Sequence, residues 1–170
     1  MTAAPLSVLL DLDGTIVDSQ PGIALSCEAA LTALGHRPDG LDIAALIGPP
    51  LEEVLGTVLA RFGDDRLDEA VRAYRDHYGR VGLLETAAYP GMAAALDGLR
   101  ATGARLFVAT SKRRVFAERI LEHLGLIDRF DGVHGSEPGG ALDHKAALIA
   151  EVLRREGLTA GRCLMVGDRR

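Results

Sequence analysis

Residues 7–19 have the sequence SVLLDLDGTIVDS, and this stretch decides the predicted fold. The short apolar run before the first acid is typical of a strand buried on both faces of a parallel sheet. Strand alternation sends Asp11 and Asp13 to one side and Leu12 to the other, and Gly14 allows a sharp turn at the strand end. Ligands of open parallel sheets bind at the carboxyl ends of strands, where two carboxylates need a cation or a shared proton. The stretch therefore predicts a ligand site, with a pair of solvated acids in a loop as the alternative.

The composition is that of an ordinary globular protein and excludes several classes of partner. The chain has 170 residues, of which 48% are hydrophobic and 25% charged. A formal net charge of -5 argues against nucleic acid and against an anionic membrane surface as partners. No apolar run is long enough to span a bilayer, and the N-terminus lacks a signal-peptide pattern. The two cysteines, Cys27 and Cys163, fit a reducing compartment, so a cytoplasmic location is expected, while no oligomeric state is predicted.

The order of apolar patterns along the chain predicts an α/β fold with an insertion. Residues 16–88 show helical spacing and no convincing strand, which indicates an all-helical insertion after the first strand. Further buried strands are predicted over 105–109, 130–134 and 162–166, in alternation with helices. This alternation predicts a Rossmann-like, doubly wound parallel sheet. The core is therefore expected to be discontinuous, comprising residues 1–15 and 89–170.

Polar residues follow the predicted strands, at the edge where the ligand is expected. Thr110 and Ser111 follow the second strand, and Asp168 follows the last one. Lys145 lies on a helix that is predicted to begin at Asp143 or His144. Each has a plainer interpretation, because Thr110 is also suited to cap the next helix and a helix lysine is most often solvated.

The sequence Asp11-Leu12-Asp13-Gly14-Thr15 after an apolar strand resembles the first motif of the haloacid dehalogenase-like hydrolase superfamily. Thr110, Lys145 and Gly167-Asp168 resemble its other three motifs. The resemblance implies that Asp11 attacks phosphorus to form an aspartyl-phosphate, and that Asp13 protonates the leaving oxygen and then activates water. It further implies that the substrate phosphate is held by three side chains, those of Thr110, Ser111 and Lys145.

The resemblance also implies Mg²⁺ and no organic cofactor. The ion would be bound by the carboxylates of Asp11 and Asp168 and by the backbone carbonyl of Asp13, and such hard oxygen ligands suit Mg²⁺. The chain departs from the family pattern at Arg169-Arg170, where a second acid of the fourth motif normally follows. We therefore expect the C-terminal part of the core to be missing from this chain.

The helical insertion resembles the cap of the phosphoglycolate phosphatase-like and 5'-nucleotidase-like subgroup, notably at Gly48-Pro49-Pro50-Leu51. The resemblance implies that residues 16–19 and 85–89 are the two hinge strands of this cap. Arg113 stands where that subgroup usually has proline, and it is interpreted with Arg114 as solvated charge rather than as a substrate contact. The predicted function is a Mg²⁺-dependent phosphomonoester hydrolase that acts on a small phosphorylated metabolite, such as phosphoglycolate or a nucleoside monophosphate. The alternatives are a phosphosugar mutase of the same fold and a truncated, non-catalytic member that binds a phosphorylated ligand or a partner protein. Dehalogenation is disfavoured, because a dehalogenase has no use for the acid at Asp13.

Overall fold

A computed structural model describes residues 6–47, 49–137, 142 and 144–168, and the chain separates into two compact units. The first unit comprises Met1–Asp18 with Ala87–Arg170, and the second comprises Ser19–Thr86. Gly48 of the predicted corner, Asp143 and the terminal pair Arg169-Arg170 lie outside the described residues. Among the described helices, none has the length and apolar content needed to cross a membrane.

The described part of the chain contains six strands and six α-helices, with short 3-10 turns between them. The strands are β1 (Ser7–Leu10), β2 (Val17–Asp18), β3 (Ala87–Ala88), β4 (Arg105–Arg113), β5 (Gly132–Ser136) and β6 (Cys163–Val166). The helices are α1 (Gln20–Ala33), α2 (Leu51–Arg61), α3 (Leu67–Arg80), α4 (Met92–Ala101), α5 (Arg114–His123) and α6 (Lys145–Arg155).

The first unit is built on a four-stranded sheet with the order β5-β4-β1-β6. All three pairings in this sheet are parallel, so β1 lies between β4 and β6 with all four of its residues buried. The helices that connect the strands pack against β4 and β5, whereas Leu164, Met165 and Val166 on the edge strand β6 are exposed. Because the pairing is parallel, the loops that follow β1, β4, β5 and β6 lie at the same edge of the sheet.

Two strand boundaries differ from the sequence prediction. The second strand of the sheet does not end at Ala109 but continues to Arg113, with a register shift between these two residues in its pairing with β5. The strand predicted over 130–134 is found two residues later, at Gly132–Ser136. Just before it, Asp131 donates its N–H to the Leu106 carbonyl at 2.7 Å and accepts the Leu106 N–H through its carboxylate at 2.8 Å. The residues at which a strand begins and ends depend on tertiary contacts, which local apolar patterns do not encode.

A short antiparallel pair, β2 with β3, joins Val17 to Ala88 and Asp18 to Ala87. These strands fall within the two short segments, 16–19 and 85–89, in which hinge strands were predicted. Tyr89 extends the pairing by donating its backbone N–H to the carbonyl of Ile16 at 3.1 Å.

The second unit is helical and has its own buried core. Its helix α1 packs against α3, which also packs against α2. Tyr74 and Tyr78, one turn apart on α3, are 8% and 2% exposed and stack with ring centroids 5.5 Å apart. They therefore belong to the core of this unit rather than to a surface for stacking bases. Burial raises the pKa of the Cys27 thiol to about 12, so this cysteine is a core residue and not a nucleophile.

Two glycines bring the backbones of α1 and a following 3-10 turn into direct contact in this unit. A Cβ added to Gly22 would lie 1.9 Å from the carbonyl oxygen of Gly82. A Cβ added to Gly82 would lie 2.2 Å from the hydroxyl of Ser26, which donates to the Gly22 carbonyl at 2.8 Å. Neither position therefore has space for a side chain.

Gly22→Ala is expected to destabilise the helical unit by about 3 kcal/mol, because the added methyl group meets backbone that cannot rotate away. The matched control is Gly56→Ala on α2, where a Cβ would meet nothing within 4 Å. That substitution is expected to stabilise the unit by about 0.5–1 kcal/mol through helix propensity. Urea unfolding followed by circular dichroism measures both changes, and equal effects of the two substitutions would contradict the close contact.

Candidate active site

Asp11 occupies the first position after the central strand, and its backbone and side chain are both held in place. Its N–H donates to the carbonyl of Val166 on β6 at 2.9 Å, and its Oδ1 accepts the N–H of Leu12 at 2.9 Å. The Leu12 carbonyl in turn accepts the N–H of Ile16 at 2.9 Å, which closes a tight turn. Gly14 lies inside this turn with φ +75, a conformation that favours glycine. Asp11 is 7% exposed, so its carboxylate is nearly buried at the sheet edge.

Lys145 provides the positive charge that this buried carboxylate requires. It is the first residue of α6, and its Nζ donates to Asp11 Oδ2 at 2.6 Å and to the carbonyl of Ala109 at 2.9 Å. The fold thus brings together two predicted site residues that are 134 positions apart in the chain. A buried carboxylate is stable only when a counter-charge and hydrogen bonds offset its loss of hydration. The contact places an ammonium group beside a potential nucleophile.

Thr110 lies within β4 and not at the start of a helix. The structure therefore contradicts the alternative interpretation of this residue as a helix cap, since α5 begins only at Arg114. The cause is the continuation of β4 beyond the predicted end of the strand. Thr110 is 1% exposed and its Oγ1 accepts the N–H of Lys112 at 3.2 Å, whereas Ser111 is exposed. Because Leu10 pairs with Val108 in the sheet, Thr110 and Ser111 lie at the same edge of the sheet as Asp11.

Lys112 was not predicted as a site residue, yet it contacts the second acid of the first motif. Its Nζ lies 3.2 Å from Asp13 Oδ1, and its side chain is 8% exposed against 31% for that of Asp13. The composition could have pointed to Lys112 as a site residue, because only two of the 19 lysine and arginine residues are lysines. Each of these lysines, Lys112 and Lys145, forms an ion pair with one of the two acids of the first motif.

Asp168 follows β6, the neighbour of the central strand, and its carboxylate rests against the turn after β1. A Cβ built on Gly14 would lie 2.3 Å from Asp168 Oδ2, and one built on Gly167 would lie 3.8 Å from Asp11 Oδ2. In the part of the chain that is described, no group of three or more His, Cys, Asp or Glu side chains could hold a metal ion. The predicted ligand set is of another kind, with two carboxylates and the backbone carbonyl of Asp13. These are oxygen donors, so the residues present fit Mg²⁺.

The segment after Thr110 is anchored to the end of β5. Arg114 donates to Glu137 and to Glu118, each at 2.9 Å, and the hydrogen bond to Glu137 raises the pKa of the Arg114 guanidinium. A Cβ on Gly135 would lie 2.5 Å from the Lys112 carbonyl oxygen, so the two backbones touch. Arg114 is thus a structural ion-pair partner, while Arg113 is exposed as predicted.

Comparison with protein families agrees with this geometry. A family model described as haloacid dehalogenase-like hydrolase matches residues 8–170. The chain belongs to this family. The sequence-based prediction of a haloacid dehalogenase-like hydrolase is therefore confirmed, and so is the prediction that the chain is an enzyme.

Individual relatives carry three different names. The chain is 40% identical over 164 residues to a 5'-nucleotidase of Pseudomonas aeruginosa, with 96% of this chain and 74% of that protein covered. It is 36% identical over 167 residues to the tyrosine-protein kinase PtkA of Mycobacterium tuberculosis, with 98% of this chain but only 56% of that protein covered. It is 31% identical over 164 residues to a phosphoglycolate phosphatase of Aquifex aeolicus, with 95% and 75% covered.

A solved structure of the haloacid dehalogenase-like family supports the fold assignment. The hydrolase from Streptococcus pneumoniae superposes with a TM-score of 0.86 at 30% identity, covering 98% of this chain and 77% of that one. The predicted α/β fold is thus confirmed. The predicted absence of the C-terminal part of the core stays a prediction.

Proposed function

We propose that this chain catalyses Mg²⁺-dependent hydrolysis of a small phosphomonoester through an aspartyl-phosphate on Asp11. The contact between Asp11 and Lys145 carries the proposal, because it joins a nearly buried carboxylate to an ammonium at the ligand-binding edge of the sheet. An ammonium placed there can neutralise both the nucleophile and the incoming phosphoryl oxygens. The site assignments of the sequence analysis, including Thr110 and Ser111 as phosphate ligands, are kept as part of this proposal.

In the first half of the reaction, a carboxylate oxygen of Asp11 attacks phosphorus while the ester bond to the leaving oxygen breaks. Asp13 gives its carboxyl proton to that oxygen, so the alcohol leaves neutral. Lys145 and the Thr110 hydroxyl hold the non-bridging oxygens as charge shifts toward the leaving group. The nucleophile is regenerated later, so one difficult displacement becomes two easier ones.

In the second half, a water oxygen attacks phosphorus while Asp13 accepts a proton from that water molecule. The bond between phosphorus and Asp11 breaks, and phosphate leaves with the carboxylate restored. The difference in exposure supports this division of roles, since the Asp13 side chain is 31% exposed and the Asp11 side chain only 10%. The exposed acid can reach solvent water and the leaving group, while the buried acid is shielded from bulk solvent.

The Asp11 and Asp168 carboxylates and the Asp13 carbonyl would hold Mg²⁺, which neutralises charge on the phosphoryl group when bound. The position of Asp168 against Gly14, and of Gly167 near Asp11, supports this ligand set. Metal binding would also offset the repulsion between the carboxylates of Asp11 and Asp168.

The relatives support a substrate class but not a single substrate. The names of the Pseudomonas and Aquifex relatives support a nucleoside monophosphate or phosphoglycolate as the substrate. We also propose the role of a cap for the helical insertion, with the predicted domain limits 1–15, 16–88 and 89–170. The net charge of -5 supports a small metabolite, rather than nucleic acid or a membrane, as the partner, and the use of two cysteines supports a cytoplasmic location.

Phosphate release from para-nitrophenyl phosphate, nucleoside monophosphates, phosphoglycolate and a hexose phosphate tests the proposal. We expect release with Mg²⁺, loss of release with excess EDTA, and recovery when Mg²⁺ is restored. Absence of release from every ester in the presence of Mg²⁺ would refute the phosphatase assignment. Conversion of the hexose phosphate to its isomer in the presence of a bisphosphate would instead identify a mutase.

A second candidate, transfer of the ATP γ-phosphoryl group to a tyrosine hydroxyl, is supported by the 36% identity to PtkA. The chain spans little more than half of that protein. Incubation with labelled ATP and a tyrosine peptide separates the two activities, because a kinase labels the peptide and a phosphatase does not.

A further inference from the structure

Lys112 is the one feature of the site that the proposed mechanism leaves without a role. Its Nζ forms an ion pair with Asp13 Oδ1 at 3.2 Å, in the same way that Lys145 pairs with Asp11. The chain otherwise uses arginine for its basic residues, and arginine makes most of the ion pairs on its surface. A compact ammonium is thus found at both acids of the first motif and contacts each as a point charge.

The backbone of Lys112 is fixed more firmly than that of a loop residue. Its N–H donates to Thr110 Oγ1 at 3.2 Å, and its carbonyl oxygen lies against Gly135 on β5. Arg114, two residues later, is anchored through Glu137 and Glu118. The side chain therefore extends from a rigid point at the end of the sheet.

The difference in side-chain burial between Lys112 and Asp13 indicates which of the two orients the other. The Lys112 side chain is 8% exposed, and lysines are almost never so buried unless they are paired. The Asp13 side chain is 31% exposed, so it lies at the accessible end of the pair. An ammonium on one carboxyl oxygen restricts the rotation of the Asp13 side chain.

We propose that Lys112 is a positioning residue for Asp13, which it orients for proton transfer to the leaving group. This inference rests on the proposed function, in which the carboxyl proton of Asp13 moves to the leaving oxygen as the ester bond to phosphorus breaks. Lys112 itself forms no bond to the substrate and exchanges no proton. Its effect is on the orientation of the acid alone.

Leaving groups that differ in basicity separate this role from simple phosphate binding. Para-nitrophenolate leaves without a proton, whereas an alkoxide must be protonated as it leaves. A residue that orients the acid therefore matters for alkyl phosphates and much less for para-nitrophenyl phosphate. A residue that binds phosphate or supports the fold affects both esters equally. The ratio kcat/KM reports only the steps up to formation of the aspartyl-phosphate, so it isolates the proton transfer to the leaving group.

The test compares Lys112→Met, Lys112→Arg and the control Arg113→Met, which removes a neighbouring exposed charge. For Lys112→Met we expect kcat/KM to fall about a hundredfold with an alkyl phosphate and less than about tenfold with para-nitrophenyl phosphate. Lys112→Arg should recover most of the loss with the alkyl ester, and Arg113→Met should leave both esters at the wild-type value. In an Asp13→Asn background, Lys112→Met should add no further loss with the alkyl ester.

Equal losses with the two esters, or a full additional loss in the Asp13→Asn background, would overturn the positioning role. Failure of the proposed function has a different signature, because wild type and Asp11→Asn would then release phosphate equally. If Lys112→Met does not fold, the side-chain ammonium signals of isotopically labelled lysine in wild type and Asp13→Asn give the answer. With two lysines in the chain, the signal of Lys112 should shift while that of Lys145 stays in place, and two unchanged signals would overturn the inference.

Discussion

Asp11→Asn is expected to lower kcat for every phosphomonoester by at least about a thousandfold. An amide nitrogen or oxygen is a far weaker nucleophile toward phosphorus than a carboxylate oxygen. The substitution also removes the negative charge that faces Lys145 at 2.6 Å and that is predicted to bind the metal. The loss should therefore appear in kcat and persist at saturating substrate and saturating Mg²⁺.

The fold should survive this substitution with a moderate loss of stability. The Asn side chain has the same size, but its single carbonyl oxygen can replace only one of the two acceptors, either Oδ2 toward Lys145 or Oδ1 toward the Leu12 N–H. Asp97→Asn is the matched control, because Asp97 lies on α4 of the same unit and pairs with Arg129 on the surface. This control should keep wild-type kcat and lose little stability.

Two measurements check the nucleophile assignment. Steady-state phosphate release gives kcat, and acid quenching during turnover of a labelled substrate traps the aspartyl-phosphate for peptide mapping. Label should be found on the peptide that contains Asp11 in wild type and should be absent from the variant. Undiminished turnover by Asp11→Asn would remove Asp11 from the role of nucleophile.

The sequence was sufficient for the parts of the fold that depend on local pattern. Strand β1 and the two acids after it could be recognised because a buried parallel strand is a short continuous apolar run. The helices could be recognised from the spacing of apolar residues, as for Tyr74 and Tyr78 on the buried side of α3. The placement of Lys145 at the same site as Asp11 was implied by the resemblance to the third family motif, because a helix lysine by itself is most often solvated.

The contacts that the sequence did not reveal are all tertiary. Thr110 follows an apolar run and has the chemistry of a helix cap, but β4 continues through it to Arg113, with a register shift against β5 in this segment. No sequence pattern predicts the close approach of Gly22 and Gly82, because the residues next to a helix glycine in the chain do not show which distant backbone it contacts. The pairing of Lys112 with Asp13 is likewise a tertiary contact that the sequence does not show, because a lysine is solvated more often than buried.

Lys145 stands where local energetics disfavour it. A cation in the first turn of a helix opposes the helix dipole, whose positive end is the N-terminus. The carboxylate of Asp11 and the carbonyl of Ala109 offset that cost through hydrogen bonds of 2.6 and 2.9 Å. A position that is unfavourable for the isolated helix, and compensated only by the acid at the sheet edge, indicates a role at the site rather than in the helix.

Lys145→Met is therefore expected to lower kcat/KM by about a hundredfold to a thousandfold, the range for loss of one charge-stabilising group. The methionine chain fills the same volume but leaves Asp11 Oδ2 and the phosphoryl oxygens without the ammonium. Inhibition by inorganic phosphate should weaken in parallel, because the same group is proposed to bind the product phosphate. The variant also leaves the nearly buried Asp11 carboxylate without its counter-charge, so the free energy of unfolding should fall, as urea unfolding would measure.

Arg155→Met provides the control on the same helix, since Arg155 lies in its last turn and pairs with Glu151. It removes an equal charge at the opposite end of α6 and should leave kcat/KM at the wild-type value. Inhibition by phosphate separates the two possible origins of a loss in Lys145→Met. A fall in kcat/KM with unchanged inhibition by phosphate would mean that Lys145 acts through Asp11 alone, and an unchanged kcat/KM would exclude the ammonium from the reaction.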